Sequence, residues 1–491
     1  MPAIGVRVKA HPASARAIGR RQGFGTGKRN AWPAVKNRRA EKIRICGFFP
    51  HGHRGCCAAA TRVGNLVAPL CRHEANYLHR IQWCPGKTAL FHSTLEPQAS
   101  TFRLAVAENQ PLRHKRAKQN RMISIRSFAP FTSRLREFIS RCSADEDQFD
   151  HLASALFALQ FARVEPYRRF CETRGVRPDK ITHWTEIPPV PTEAFKERDI
   201  SSLPPCERTT IFRSSGTTAQ RPSRHFHSAE SLAIYESSIL PWFKQHLLPD
   251  RERFQFISLT PPPGLVRDSS LVHMLGTVQR EFGSAETRFT GTIDAAGAWV
   301  LDHGAALTAL RSAIDAQRSL AILGTAFSFV HLLSLLSLRD VCLRLPVGSR
   351  VMETGGYKGR SRALPKAELH AHITRHLGVP ASHIVCEYGM SELSSQAYDC
   401  VAGYHPSGLN ASTLQRTFHF PPWARVRIVS PETGRQVGEG ETGLIQVYDL
   451  ANVWSVMAVQ TEDLGIRRGD GFELLGRAAL AEQRGCSLMN S

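Results

Sequence analysis

Between Phe212 and Tyr388, short apolar runs stopped by Gly or Pro alternate with longer stretches of helical spacing. Residues 254–259 end at Thr260-Pro261-Pro262-Pro263-Gly264, residues 350–353 at Gly355-Gly356 and residues 384–388 at Gly389. Runs of this length suit buried strands, and strands alternating with helices assemble a largely parallel sheet covered on both faces. Residues 320–338 carry no charge, but Gly324, Thr325, Ser328, His331, Ser334 and Ser337 make them too polar for a membrane span. The spacing predicts a strand over 320–323 that turns at Gly324-Thr325 into a core helix. Residues 365–377 read as a helix stopped by Gly378, with Pro380 just beyond. The predicted class is therefore α/β, with mixed, largely parallel sheets flanked by helices.

The flanks are read in the same way. Residues 131–170 show helical apolar spacing, as in Phe138, Cys142, Phe149, Leu152, Leu156 and Phe157. A Pro-rich connector, Ile187-Pro188-Pro189-Val190-Pro191, follows, and Thr192 is placed to cap the next helix with Glu193 in its first turn. Residues 424–430 and 443–450 read as antiparallel strands, a small appended β region.

Across 491 residues the net charge is +21, which taken whole points to a nucleic-acid partner. Its distribution points elsewhere. Residues 1–121 hold 23 Lys+Arg against 4 Asp+Glu, a balance of +19, and the remaining residues are balanced to +2. The basic quarter contains no Asp and little periodicity, and it carries Cys46, Cys56, Cys57, Cys71 and Cys84. Three readings of it compete: a disordered basic arm for nucleic acid or an anionic membrane, an Arg-rich targeting peptide, and a non-native stretch upstream of a true start at Met122. The last is the plainest, because patterned sequence begins at Met122. His51, His53, Cys56 and Cys57 lack a second ligand pair at finger spacing. The seven cysteines of the body are odd in number and widely spaced, so no disulfide framework is expected. The body reads as cytoplasmic, without a membrane span and without a nucleic-acid partner.

Three segments carry chemistry. Arg213-Ser214-Ser215-Gly216-Thr217-Thr218-Ala219-Gln220-Arg221 sets hydroxyls around one Gly between basic residues. Small residues let backbone N–H groups turn inward and each hydroxyl donates a hydrogen bond, which suits phosphates. The segment lacks the ending of a Walker loop, and alone it reads equally as a surface turn. Glu387-Tyr388-Gly389-Met390-Ser391-Glu392 closes a predicted strand, where ligands of open α/β sheets sit. Tyr388 is a candidate to stack on a base and Glu392 to hold Mg²⁺ with substrate phosphates; a strand end with a solvated acid is the alternative. In Gln460-Thr461-Glu462-Asp463-Leu464-Gly465 the Asp463 carboxylate has two oxygens for two ribose hydroxyls, or else completes an Asx-type turn.

Together and in this order the segments resemble the adenylate-forming superfamily of acyl- and aryl-CoA ligases and peptide-synthetase adenylation domains. Residues 214–223 look like its phosphate loop and 387–392 like its aromatic-Gly-x-[Ser/Thr]-Glu segment. Gly440-Glu441-Thr442-Gly443 resembles its Gly-Glu-x-Gly turn, Asp463 its ribose-binding acid, and Arg477 the arginine after its interdomain hinge. A narrower resemblance is to the acyl-protein synthetases of bacterial bioluminescence. It rests on residues 212–218, Ser269-Ser270-Leu271-Val272-His273-Met274, Gly324-Thr325-Ala326, Glu353-Thr354-Gly355-Gly356-Tyr357-Lys358-Gly359-Arg360 and Arg484-Gly485-Cys486-Ser487-Leu488. It covers most of 122–491 and none of 1–121.

The resemblance implies an ATP- and Mg²⁺-dependent acid–thiol ligase. Members of that family activate a fatty acid as acyl-AMP, pass the acyl group to a cysteine near their own C-terminus and hand it to a partner acyl reductase. Ser214, Ser215, Gly216, Thr217, Thr218, Gly355, Gly356, Tyr388, Gly389, Ser391, Glu392 and Asp463 would then form the ATP site, with Glu392 as metal ligand. Cys486 would be the nucleophile, its thiolate favoured by Arg484. Lys358 and Arg360 are candidates to contact the carboxylate or the leaving pyrophosphate, with a solvated basic turn as the alternative. Arg477, as the hinge arginine, joins the catalytic set, and His273 would line the acyl pocket or act as a base. The substrate is a fatty or other carboxylic acid, and the partner an acyl reductase or acyl carrier. The implied domains are the 1–121 extension, a large domain over 122–465, and a short segment 466–491 that bears the cysteine. With 14 residues after Arg477, the usual lid is truncated. Ala219-Gln220-Arg221 departs from the Gly and Lys of larger superfamily members.

Two other readings remain. A CoA ligase would use CoA, rather than Cys486, as acceptor. A nucleic-acid-binding protein would act through 1–121. The charge partition predicts that any steeply salt-dependent affinity of the full chain for nucleic acid vanishes when 1–121 are deleted; its retention by residues 122–491 would contradict this reading of the body.

Overall fold

A computed structural model of the chain describes residues 127–214, 221–355, 364–404 and 416–477. The expectations for 1–121, Met122 and Cys486 lie outside the described residues. In chain order the described strands are β1 (Val190–Pro191), β2 (Thr210–Arg213), β3 (Arg224–His227), β4 (Gln255–Ser258), β5 (Arg288–Phe289), β6 (Gly291–Ile293), β7 (Trp299–Leu301) and β8 (Leu320–Thr325). They continue with β9 (Arg350–Thr354), β10 (Ile384–Tyr388), β11 (Ala397–Tyr398), β12 (Ala424–Val429), β13 (Thr442–Asp449), β14 (Ala458–Arg468) and β15 (Gly471–Arg477).

The predicted alternation becomes a six-stranded sheet in the order β11-β10-β9-β8-β4-β5, parallel except for β11. Phe256, Ala321, Leu323, Met352 and Val385 pack into one core, and Ile257, Leu320, Ile322, Val351 and Ile384 into a second. Successive residues of a strand face opposite sides, so a sheet buried on both faces demands continuous apolar runs. Helices Ala229–Leu247 and Ser270–Phe282 contribute to the first core; His303–Asp315, Ala326–Leu338 and Lys366–Leu377 contribute to the second. The uncharged run is β8 followed by Ala326–Leu338, with Thr325 Oγ1 accepting from the Ser328 amide at 3.1 Å. No helix among the described residues is long and apolar enough to cross a membrane.

The helical spacing of 131–170 is carried by three helices, Phe128–Arg141, Glu146–Arg163 and Glu165–Glu172. The first ends at Cys142 in the left-handed region, Asp145 caps the second through the Gln148 amide, and Pro166 opens the third. The β region is no appendage of two strands. It is a five-stranded sheet ordered β1-β14-β13-β12, with β15 also on β14. The Pro-rich connector supplies β1, parallel to β14 with Val190 beside Val459; a proline is tolerated there because β1 is an edge. Thr192 extends this pairing, its amide donating to Gln460 O at 3.0 Å, and the next helix is the single turn Ala194–Glu197 with Glu193 at its cap. The division expected at 465/466 falls inside β14, whose pairing with β15 carries the sheet to Arg477.

The N-terminal helices share the first core with this sheet: Phe149 packs on Trp184, and Trp184 on Tyr448 at 4.8 Å between centroids. Gln160, fully buried on Glu146–Arg163, clamps the β13–β14 connection. Its Nε2 donates to Asn452 O (2.7 Å) and Val453 O (3.2 Å), and its Oε1 accepts from the Met457 amide at 3.0 Å. Gln160→Leu strands those buried backbone groups and is expected to cost about 2–4 kcal/mol in urea unfolding at unchanged m-value; a loss below about 0.5 kcal/mol would show that the clamp is dispensable.

Candidate active site

β2 and β3 form an antiparallel hairpin with Arg213 opposite Arg224, so the hydroxyl-rich segment is the hairpin's loop. Ser215, Gly216, Thr217 and Thr218 lie outside the described residues; the loop's two ends do not. The Ser214 amide donates to Ser223 O at 3.4 Å, and the Ser223 amide to Ser214 Oγ at 2.9 Å. This reciprocal pair closes the mouth of the loop.

The hairpin base docks on the turn that follows β10. Ser223 Oγ lies 3.3 Å from Ser391 Oγ, and His225 Nδ1 lies 2.9 Å from Ser391 O. Ser391 Oγ spends its proton on Glu392 Oε2 at 3.0 Å, so it receives the Ser223 proton in turn. A Cβ at Gly389 would stand 2.3 Å from Glu387 Oε1, so a larger residue there would push the Glu387 carboxylate aside. Beyond Glu392 the turn is held by the five-stranded sheet. Asp449, at the end of β13, accepts from the Ser394 amide (2.8 Å), Ser395 Oγ (2.7 Å) and the Ala451 amide (2.9 Å). Asn452 Nδ2 donates to Glu392 O at 2.9 Å. Burial raises the Asp449 carboxyl above its ordinary pKa, opposed by the hydrogen bonds from the Ser395 hydroxyl and the Ser394 and Ala451 amides.

Tyr388 donates its hydroxyl to Asp463 Oδ2 at 2.9 Å. Its ring is walled by Phe418, Phe420 and Phe472, with centroids 5.2–6.2 Å away, and the residue is 6% exposed. The Tyr388 ring is thus buried among three phenylalanines, and its phenol is bound to Asp463. Burial first, and the Asp463 carboxylate second, push that phenol well above its ordinary pKa. Asp463 stands opposite Arg477 across β14 and β15, with Arg477 Nε 3.9 Å from Asp463 Oδ1. The neighbouring Glu462 lies 3.7 Å from Arg477 and 3.6 Å from Lys196.

Ser214, Tyr388, Gly389, Ser391, Glu392, Asp463 and Arg477 therefore form one contiguous set. Gly355 ends β9 with φ +72°, just after Thr354, whose hydroxyl donates to Glu387 on β10. His273 stands apart from the set: its Nε2 is 3.0 Å from Glu236 Oε1, and its ring packs on Phe212 and Tyr235. Burial lowers its pKa, opposed by the Glu236 carboxylate. Lys358, Gly356 and Cys486 lie outside the described residues. Among the described residues no three His, Cys, Asp or Glu gather as a metal cage. Glu392, buried on the turn after β10, offers a hard oxygen donor, which suits an ion carried in by phosphates rather than one caged by protein.

Sequence reasoning missed His225, Glu387, Asp449 and Asn452 as parts of this site. A signal existed for the first. In Arg224-His225-Phe226-His227 the two imidazoles fall two apart on a strand, so they share a face, and both are buried with rings 4.4 Å apart. Burial brings the His225 pKa down to about 4, against its bond to the Ser391 carbonyl.

A family model described as "Acyl-protein synthetase, LuxE" matches residues 142–491. Two long-chain-fatty-acid–luciferin-component ligases, from Vibrio harveyi and Aliivibrio fischeri, are each 23% identical to the chain, covering 69% of it and 86% of their own length. Among solved structures, a 2-hydroxyisobutyryl-CoA ligase with 2-HIB-AMP is 14% identical at TM-score 0.47, over 67% of each chain. ATP-bound MatB from Rhodopseudomonas palustris is 16% identical at TM-score 0.37, over 57% of this chain and 49% of its own.

One titration follows from the geometry. Burial raises the Glu387 carboxyl to about 7, against the hydrogen bond from Thr354 and with the Glu353 charge adding to the rise. Unfolded, the same group titrates near 4.5. The folded state thus holds the extra proton, and stability is expected to fall as pH rises from about 4.5 to about 7, by up to about 3 kcal/mol, and to level off above. Glu387→Gln keeps a hydrogen-bonding partner for Thr354 and should flatten that decline in denaturant titrations; an unchanged pH dependence would contradict the assignment.

Proposed function

The chain belongs to the acyl-protein synthetase, LuxE, family of adenylate-forming enzymes and is an ATP-dependent ligase; from that premise we propose that it activates a carboxylic acid, a fatty acid by analogy with its relatives, as acyl-AMP and transfers the acyl group to Cys486. The observation that carries the reading is the convergence of the loop base at Ser214 and Ser223, the Ser391–Glu392 turn and the Tyr388–Asp463 pair.

In the first step the substrate carboxylate attacks the α-phosphorus of ATP, an acyl–phosphate bond forms, and pyrophosphate leaves. The protein's work is positioning and charge stabilisation. Ser214 and the loop hydroxyls Ser215, Thr217 and Thr218 donate to the phosphates, with Gly216 and the Gly355-Gly356 turn giving the nucleotide close backbone approach. Asp463, its Oδ2 fixed by the Tyr388 phenol, accepts from ribose hydroxyls; Tyr388 thus serves the nucleotide through Asp463. Arg477, at 72% side-chain exposure beside Asp463, is free to turn toward developing negative charge. Glu392 would hold Mg²⁺, which when bound neutralises phosphate charge and screens the leaving pyrophosphate. Lys358 is a further candidate for the carboxylate or pyrophosphate, and His273 for the acyl end.

In the second step the Cys486 thiolate attacks the carbonyl carbon of acyl-AMP, a thioester forms and AMP leaves. An acyl reductase or an acyl carrier would then take the acyl group. A CoA ligase is the competing reading, with CoA in place of Cys486. Intact mass after incubation with ATP, Mg²⁺ and mixed fatty and aryl acids separates the two. A hydroxylamine-labile acyl adduct, ATP-dependent and absent from Cys486→Ser, is expected. Thioester formation only on added CoA, with an unmodified chain, would overturn the role of Cys486.

A further inference from the structure

His225 lies outside every role assigned above, yet it is the residue through which the phosphate-loop hairpin grips the turn that bears Glu392. Its Nδ1 is 2.9 Å from Ser391 O, and a carbonyl oxygen can only accept, so Nδ1 carries the proton. The ring is held in that pose from two sides. His227 lies 4.4 Å away between centroids and is itself fixed by its Nδ1 at 2.7 Å from Ser231 Oγ, while Phe195 meets the His225 ring edge-on at 6.3 Å. The same imidazole, only 3% exposed, is neutral above its lowered pKa, so it donates one directed bond and brings no charge to compete for phosphate. Beside it runs the one-way chain from Ser223 Oγ to Ser391 Oγ to Glu392 Oε2. Two bonds therefore meet on Ser391, one on its carbonyl and one on its hydroxyl, and both come from β3 and the residue just before it.

We propose that His225 is a positioning residue: it locks the Ser391 backbone against β3, so that the Ser391 hydroxyl and the Glu392 carboxylate keep a fixed register to the paired residues Ser214 and Ser223. The role rests on the adenylation reading for its effect on rate, but not for its effect on the turn. A side chain that places a donor where Nδ1 stands should serve, and one that places it where Nε2 stands should not.

The test uses His225→Asn, whose amide lies near the Nδ1 position, His225→Gln, whose amide reaches past it, and His225→Phe, which keeps a ring without a donor. In the full chain, hydrogen exchange of peptides covering 389–393 is expected to speed up about tenfold in the Gln and Phe variants and to stay near wild type in Asn. Acid-dependent ATP–pyrophosphate exchange is expected to lose about tenfold in kcat in Gln and Phe, with KM for the acid unchanged, and to be largely restored in Asn. Equal behaviour of Asn and Gln in hydrogen exchange would overturn the proposal, even if the Phe variant fails to fold. A wild-type chain without pyrophosphate exchange would sink the adenylation reading, while the exchange of 389–393 would still decide the role of His225.

Discussion

One buried carboxylate ties the two sheets together at the candidate site. Asp449 is fully buried at the end of β13, and its two oxygens take three donors from the segments that must be aligned. Two of them belong to Ser394 and Ser395, in the chain that leaves β10 of the six-stranded sheet; the third is its own connection to β14. A carboxylate in such a place is costly unless it is fully satisfied, and the serine pair satisfies it only when both sheets are in register. Asn452 and Gln160 repeat the device on either side, so the turn bearing Glu392 is held between helix, sheet and sheet.

From this anchor the rest of the site takes its positions. Ser391 is presented to the hairpin base, Tyr388 to the edge of β14 where Asp463 lies, and Arg477 to the opposite side of that carboxylate. Groups far apart in sequence reach one place because strands and the turns just beyond them carry them. Such a framework would suit the proposed reaction, whose catalysis is chiefly positioning of phosphates.

Four strands of the six-stranded sheet, β4, β8, β9 and β10, were legible because burial on both faces forces apolar runs that Gly and Pro visibly stop, and residues 384–388 became β10 with unchanged limits; the two-residue strands β5 and β11 were not. The Gly378 stop and the Thr325 junction were legible because capping is local chemistry. What could not be read depends on partners distant in sequence. Nothing in Val190-Pro191 announces a strand until β14 lies beside it. Nothing near Tyr388 reveals that Phe418, Phe420 and Phe472 will pack around its ring. The shared face of His225 and His227 was there to be read, but not what His225 grips, because Ser391 lies 166 residues away in sequence.

The family places the chain among ligases, and the proposed site would give that chemistry a location. The most direct test of adenylation is ATP–pyrophosphate exchange in the absence of CoA, with a series of fatty and aryl acids, on the chain and on Cys486→Ser. Exchange that depends on the acid and is equal in both proteins is the predicted result, because acyl-AMP forms before any thiol is needed. Release of ADP and phosphate, or exchange that requires the cysteine, would contradict the account.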